Sequence, residues 1–155
     1  MNNYQSSLDS RNRYRNRRHD PLGVVSFGVF IIILAVMQLS NPELTSEIVD
    51  YFKSFEFVSG GIILPPSGIL YHVADFCFYF GIWLIILGAL RVSFRIAVWR
   101  TPSNIAEGIF FIVFNYLIID TLRTNGDVEM LLPFFIIGLG IAIIAGAIGQ
   151  ALIHQ

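Results

Sequence analysis

Four stretches of this chain, 22–39, 68–90, 105–122 and 130–153, each run for at least eighteen residues with hardly a charge. A helix that crosses a bilayer needs about 20 mostly apolar residues, with a lower limit near about 17. Inside lipid the backbone must satisfy its own hydrogen bonds, so such stretches are helices. The rest of the composition agrees. Of 155 residues, 14% are charged and 55% hydrophobic, whereas a soluble domain carries about 25% charged residues. There are too few charges to clothe a water-facing surface. The expected fold class is all-α: a polytopic membrane protein built as a four-transmembrane-helix bundle.

The third span is interrupted by Glu107, Asn115 and Asp120. An acidic residue at a helix centre costs about 2.5–3.5 kcal/mol, and each Ile, Leu, Phe or Val returns about 0.3–0.6. Glu107 and Asp120 sit near the two ends, where the cost is smaller, and the run GIFFIVFNYLII between them supplies the compensation. The fourth span carries no charge after Glu129.

Arginine sets the expected direction. Arg11, Arg13, Arg15, Arg17 and Arg18 precede the first span, and Arg91, Arg95 and Arg100 lie between the second and third. The other two connections hold only Lys53 and Arg123, beside Glu43, Glu47, Asp50, Glu56, Asp127 and Glu129. Basic residues stay on the cytoplasmic side. The reading is therefore a multi-pass protein of the cell membrane with both termini cytoplasmic. The first span resembles a signal peptide in its basic approach. Its apolar run is longer than the usual h-region, and no small-residue cleavage pattern follows, so it is expected to stay.

The polar, basic head, residues 1–20, lacks the apolar content to fold alone. It reads as a disordered cytoplasmic arm and a topology signal. Residues 42–57 place Leu44, Ile48, Tyr51, Phe52 and Phe55 at helical spacing, opposite Glu43, Glu47, Asp50 and Lys53. That predicts an extracytoplasmic amphipathic helix, with Asn41 as its cap and Pro42 in its first turn. SGGIILPPSG then stops regular structure. Thr101 is expected to cap the third span, with Pro102 following it. In the fourth span Gly138, Ala142 and Gly146 recur every four residues. Such a stripe lets helix backbones approach where no water drives packing. It should meet another helix, in this chain or in a second copy, and Gly81 and Gly88 offer a similar face.

Two polar groups stand out. His72 and Asp75 lie on one face of the second span, and Asp120, Asn115 and Tyr116 lie at a similar level on the third. An ionisable group inside a span is a candidate for function because lipid makes it costly, and imidazole titrates near neutral pH. The bland alternative is that these groups satisfy one another at a wet bundle mouth, with Asp120 pairing to Arg123. At the other end Arg91, Arg95, Arg100 and Glu107 form a charged cluster. An ion pair from Glu107 to Arg95 or Arg100 would fasten the hairpin there; the functional version is an inner gate or a lipid-phosphate contact.

Nothing points to a metal or cofactor. The lone Cys77 closes no intrachain disulfide and belongs to no zinc or redox pair. His72 is the only histidine in a span, so two axial haem ligands would need two chains. No nucleophile elbow, phosphate loop or His-Glu-x-x-His motif occurs, so no enzyme is expected, and no nucleic-acid partner. The expected partners are the lipid bilayer and either further copies or other membrane subunits. The leading functional expectation is a structural or accessory subunit. The alternative is a small proton or cation channel or transporter using Asp75, His72 and Asp120.

The segment PPSGILYHVADFCFYFGIWLIILGALRVSFR, with its Pro-Pro entry and Gly-x-Trp-x-Ile-Ile-Leu core, resembles uncharacterised small four-span membrane proteins of archaea. The resemblance covers the second span and its edges. It implies the same topology and no activity.

Overall fold

A computed structural model describes residues 21–53 and 65–153. The basic arm, the end of the amphipathic helix beyond Lys53 and most of the Gly-Gly and Pro-Pro segment lie outside the described residues. The described chain is helical throughout: α1 (Pro21–Ser40), α2 (Leu44–Lys53), α3 (Ser67–Ser93), α4 (Thr101–Arg123) and α5 (Leu131–Ile153). Single 3-10 turns, Val98–Arg100 and Val128–Met130, lead into α4 and α5. Of these helices α1, α3, α4 and α5 are long and apolar enough to cross a membrane. The all-α, four-span expectation holds.

The helices outrun their apolar stretches. Helix α3 continues to Ser93 and α4 starts at Thr101, because helical hydrogen bonding persists through the headgroup zone, where polar side chains are tolerated. Thr101 is not a cap. It is the first residue of α4, Arg100 precedes it, and no side chain caps the helix. The hydroxyl of Thr101 is instead buried and makes no hydrogen bond. Helix α2 starts at Leu44, two residues later than expected, and Asn41 Oδ1 accepts the Glu43 N–H at 3.2 Å in the turn that leads into it.

The α3–α4 pair is the centre of the fold. Leu70, Ala74, Cys77, Gly81, Leu84, Gly88 and Arg91 are all buried, at alternating spacings of four and three. That is the 3.5-residue seam of left-handed helix pairs. Gly81 and Gly108 face each other across it; a Cβ on either would lie 2.8 Å from the other's carbonyl oxygen. One turn beyond Cys77, Asn115 Nδ2 donates to the Ala74 carbonyl at 2.9 Å. The helices are therefore antiparallel, as their short connection requires.

That connection turns through two left-handed residues, Arg95 (φ 52°) and Ala97 (φ 46°). Ile96 N–H donates to the Arg91 carbonyl and Arg95 N–H to the Val92 carbonyl, a Schellman ending with arginine where glycine is usual. Helix α4 ends alike, with Asn125 at φ 48° and Gly126 N–H on the Thr121 carbonyl.

Helix α5 packs on the other flank of α4. Phe135 meets Phe110 and Phe114 at centroid distances of 5.5 and 5.0 Å. Gly138 lies under the Phe110 ring, Gly146 against Ser103 and Gly149 against Pro102. The small-residue stripe with Ala142 thus faces α4 of the same chain. Helix α1 rests on α3. Phe30 meets Phe76 and Phe80 edge-on, and the Trp83 indole N–H donates to Ser26 Oγ at 3.1 Å. No residue of α1 from Leu22 to Ser40 is buried. The long helices pack in the order α1, α3, α4, α5, and the outer two present exposed Phe, Val, Ile and Leu. Lipid is the solvent for such a surface.

Candidate functional site

Both polar groups read from the sequence lie at helix ends, and they behave differently. At the end where α2 sits, His72 does not meet Asp75. Its Nε2 lies 2.7 Å from Asn41 Nδ2 in a partly buried contact. The bond ties the α1–α2 corner to α3. Asn115 serves the backbone of Ala74, and Tyr116 is 68% exposed. Asp75 and Asp120 are both exposed. Among the described residues neither carboxylate forms an ion pair, and Asp120 does not reach Arg123. The five residues lie toward the same end of α3 and α4 but do not converge on one point.

Rotation about the helix axis explains this. Successive residues are about 100° apart, and Ala74 marks the face turned to α4. Asp75 is one step off that face and His72 two steps off in the other sense. Both therefore turn away from α4, His72 toward the α1–α2 corner. Asp75 stands at the head of a second row, Asp75, Tyr79, Ile82 and Ile86, again spaced four, three and four. The last three residues of that row, with Trp83, form one wall of a groove whose other wall is Val29, Ile32, Ile33 and Val36 of α1. The groove has a volume of about 330 Å³ and an apolar lining.

The depth of Asp75 matters. Helix α3 has 27 residues, hence about 40 Å of length at 1.5 Å per residue. A hydrocarbon core of about 30 Å leaves about 5 Å of helix in each headgroup zone. With α3 centred in the bilayer and along its normal, Asp75, about 12 Å from the start, falls about 7 Å below the hydrocarbon edge. The same placement of the 23-residue α4 puts Asp120 about 2 Å below it.

At the opposite end Arg91 occupies the last position of the α3 seam and is only 3% exposed. Arg95 is exposed at its left-handed position, and the Arg100 guanidinium lies 4.7 Å from the neighbouring Trp99 ring centroid. Glu107 is half-buried on α4. Among the described residues it makes no ion pair, so the expected fastening through Arg95 or Arg100 is not formed. The hairpin end is held by backbone and small-residue contacts: the Schellman turn, Gly88 against Ile105 and Thr101, and Gln150 donating to Ser103 Oγ.

Sequence reasoning assigned no role to Ser26, Ser103 or Gln150, and did not link Asn41 to His72. The Asn41–His72 link had a signal: the first residue after one span and an early residue of the next fall at the same membrane level. Among the described residues no group of three His, Cys, Asp or Glu side chains is placed to hold a metal ion. No family model, no curated protein and no solved structure matches this chain.

Proposed function

We propose that this integral membrane protein is a structural or accessory subunit that associates through the α1–α3 groove with a helix of another subunit or of a second copy. The observation that carries the reading is Asp75. A carboxylate below the hydrocarbon edge faces a bundle interior or a watery cavity in a stable membrane protein, paired with another polar group. Here it faces outward at the head of an apolar groove. A neighbouring helix that fills the groove and brings a donor to Asp75 resolves that mismatch. The exposed length of α1, which adds a long Phe-, Val- and Ile-rich wall to the groove, supports the same reading.

The proposed setting is the cell membrane, with both termini cytoplasmic and α2 outside, on the strength of the arginine distribution. The test is co-purification in mild detergent with a mass measurement. The reading expects a particle heavier than one chain plus detergent. It also expects Asp75→Leu and an Ile82→Trp groove block to reduce that association while helicity is kept. A monomer that brings down no other subunit from its own membranes would refute it.

Transport of protons or cations is the second reading, favoured by the same exposed Asp75 if a partner completes an aqueous path beside it. Flux into liposomes that falls with Asp75→Asn would select it. Equal flux in the variant and the native chain would reject it.

A further inference from the structure

We propose that His72 and Asn41 form a proton-operated catch on the Asn41–Glu43 turn that leads into α2. The argument rests on which atoms can donate. The Glu43 backbone N–H can only donate, so the Asn41 atom it meets at 3.2 Å is the amide oxygen. The amide nitrogen therefore faces His72 Nε2 at 2.7 Å. An amide nitrogen is a donor only, so Nε2 must offer a lone pair, with the ring neutral and its proton on Nδ1.

Protonation places an N–H on Nε2, and two donors then meet at 2.7 Å. Either the contact opens, or the Asn41 amide turns over to present its oxygen to the imidazolium. If it turns, the oxygen leaves the Glu43 N–H and the turn into α2 loses that bond. In both cases the proton on His72 changes how α2 is held.

Helix α2 is sensitive to such a loss. Among its described residues the one buried side chain is Leu44, while Val49 and Phe52 are 42% and 67% exposed. Its other described ties at this end are the Thr45–Gln38, Gln38–Pro42 and Ser46–Glu43 hydrogen bonds and the Leu44 N–H on the Asn41 carbonyl. The charged and titratable groups around the catch are Glu43, Glu47 and the Asp50–Lys53 pair on the α2 side, and Tyr71 and Asp75 on α3. Asp120 and Arg123 end α4, and Asp127 and Glu129 precede α5.

The test uses the full chain in phosphatidylcholine liposomes. A spin label is placed on α2 through Val49→Cys in a Cys77→Ser background, and its mobility is followed from about pH 8 to about pH 5. The catch predicts a reversible increase in label mobility as the pH falls, by about twofold or more in rotational rate. His72→Gln keeps an acceptor without a titrating proton and should flatten the profile. Asn41→Asp offers oxygens to both the Glu43 N–H and the imidazolium and should also remove the step. No step in the native chain, or an equal step in His72→Gln, would overturn the proposal; circular dichroism at each pH confirms that the variants are folded.

Discussion

Replacing Gly81 by alanine tests the centre of this fold with a single methyl group. A Cβ there would lie 2.8 Å from the Gly108 carbonyl oxygen, 2.9 Å from Ile112 Cγ1 and 3.2 Å from the Ile112 nitrogen. Carbon–oxygen contacts between helices settle at about 3.3–3.6 Å. The helices must therefore separate by about 0.5 Å or more at their crossing, because a backbone oxygen cannot rotate away as a side chain can. Overpacking of this kind costs about 1–3 kcal/mol, while the intrinsic helix preference of alanine over glycine returns up to about 1 kcal/mol. Gly28 separates the two terms, since nothing lies within 4 Å of a Cβ built on it. Gly28→Ala should show the propensity gain alone, and the difference between the two variants should be about 1–3 kcal/mol in favour of Gly28→Ala. Reversible unfolding in bicelles gives both values. The double variant Gly81→Ala with Gly108→Ala adds an internal check. One separation relieves both methyl groups, so the pair should cost less than the sum. Equal stabilities of Gly81→Ala and Gly28→Ala would refute the close crossing.

Gly146→Val should loosen α5, because a Cβ at that position would lie 2.9 Å from the Ser103 Cα; a loss of about 1–3 kcal/mol in the same unfolding assay is expected. Trp83→Phe removes the donor to Ser26 Oγ and should cost about 0.5–1.5 kcal/mol, read as easier protease release of α1. Arg95→Gly relieves a left-handed non-glycine residue and should stabilise the α3–α4 hairpin by about 1 kcal/mol. Asn115→Leu removes the hydrogen bond to the Ala74 carbonyl and should destabilise by about 1 kcal/mol.

The spans were legible because lipid imposes one length and one composition on any crossing helix, and four stretches met both. That Asn41 bonds the backbone at the approach to α2 was legible because its chemistry is local. Which helix meets the glycine stripe was not: Gly138 and Gly146 announce close packing but carry no address, and the structure supplies α4. The left-handed turn at Arg95 was hidden for a related reason. Glycine advertises such a position, whereas an arginine there is imposed by the Schellman bonds to Val92 and Arg91. Thr101 misled because threonine before proline matches a cap in sequence, yet a 3-10 turn shifts the helix start by one residue.

The pairing of His72 with Asp75 shows where a helical-wheel argument stops. Two residues three apart share a face, and that is all the spacing says. Each side chain then takes the best partner its surroundings offer. His72 has Asn41 from the α1–α2 corner. Asp75, turned about 60° from His72 by the helix pitch, looks past that corner along the groove row of Tyr79, Ile82 and Ile86. The lipid side of a helix has no donor to give it, and α4, the nearest other helix, packs on the face marked by Ala74. Among the described residues no donor reaches this carboxylate. Asp75 is therefore the described residue on which the proposed association turns.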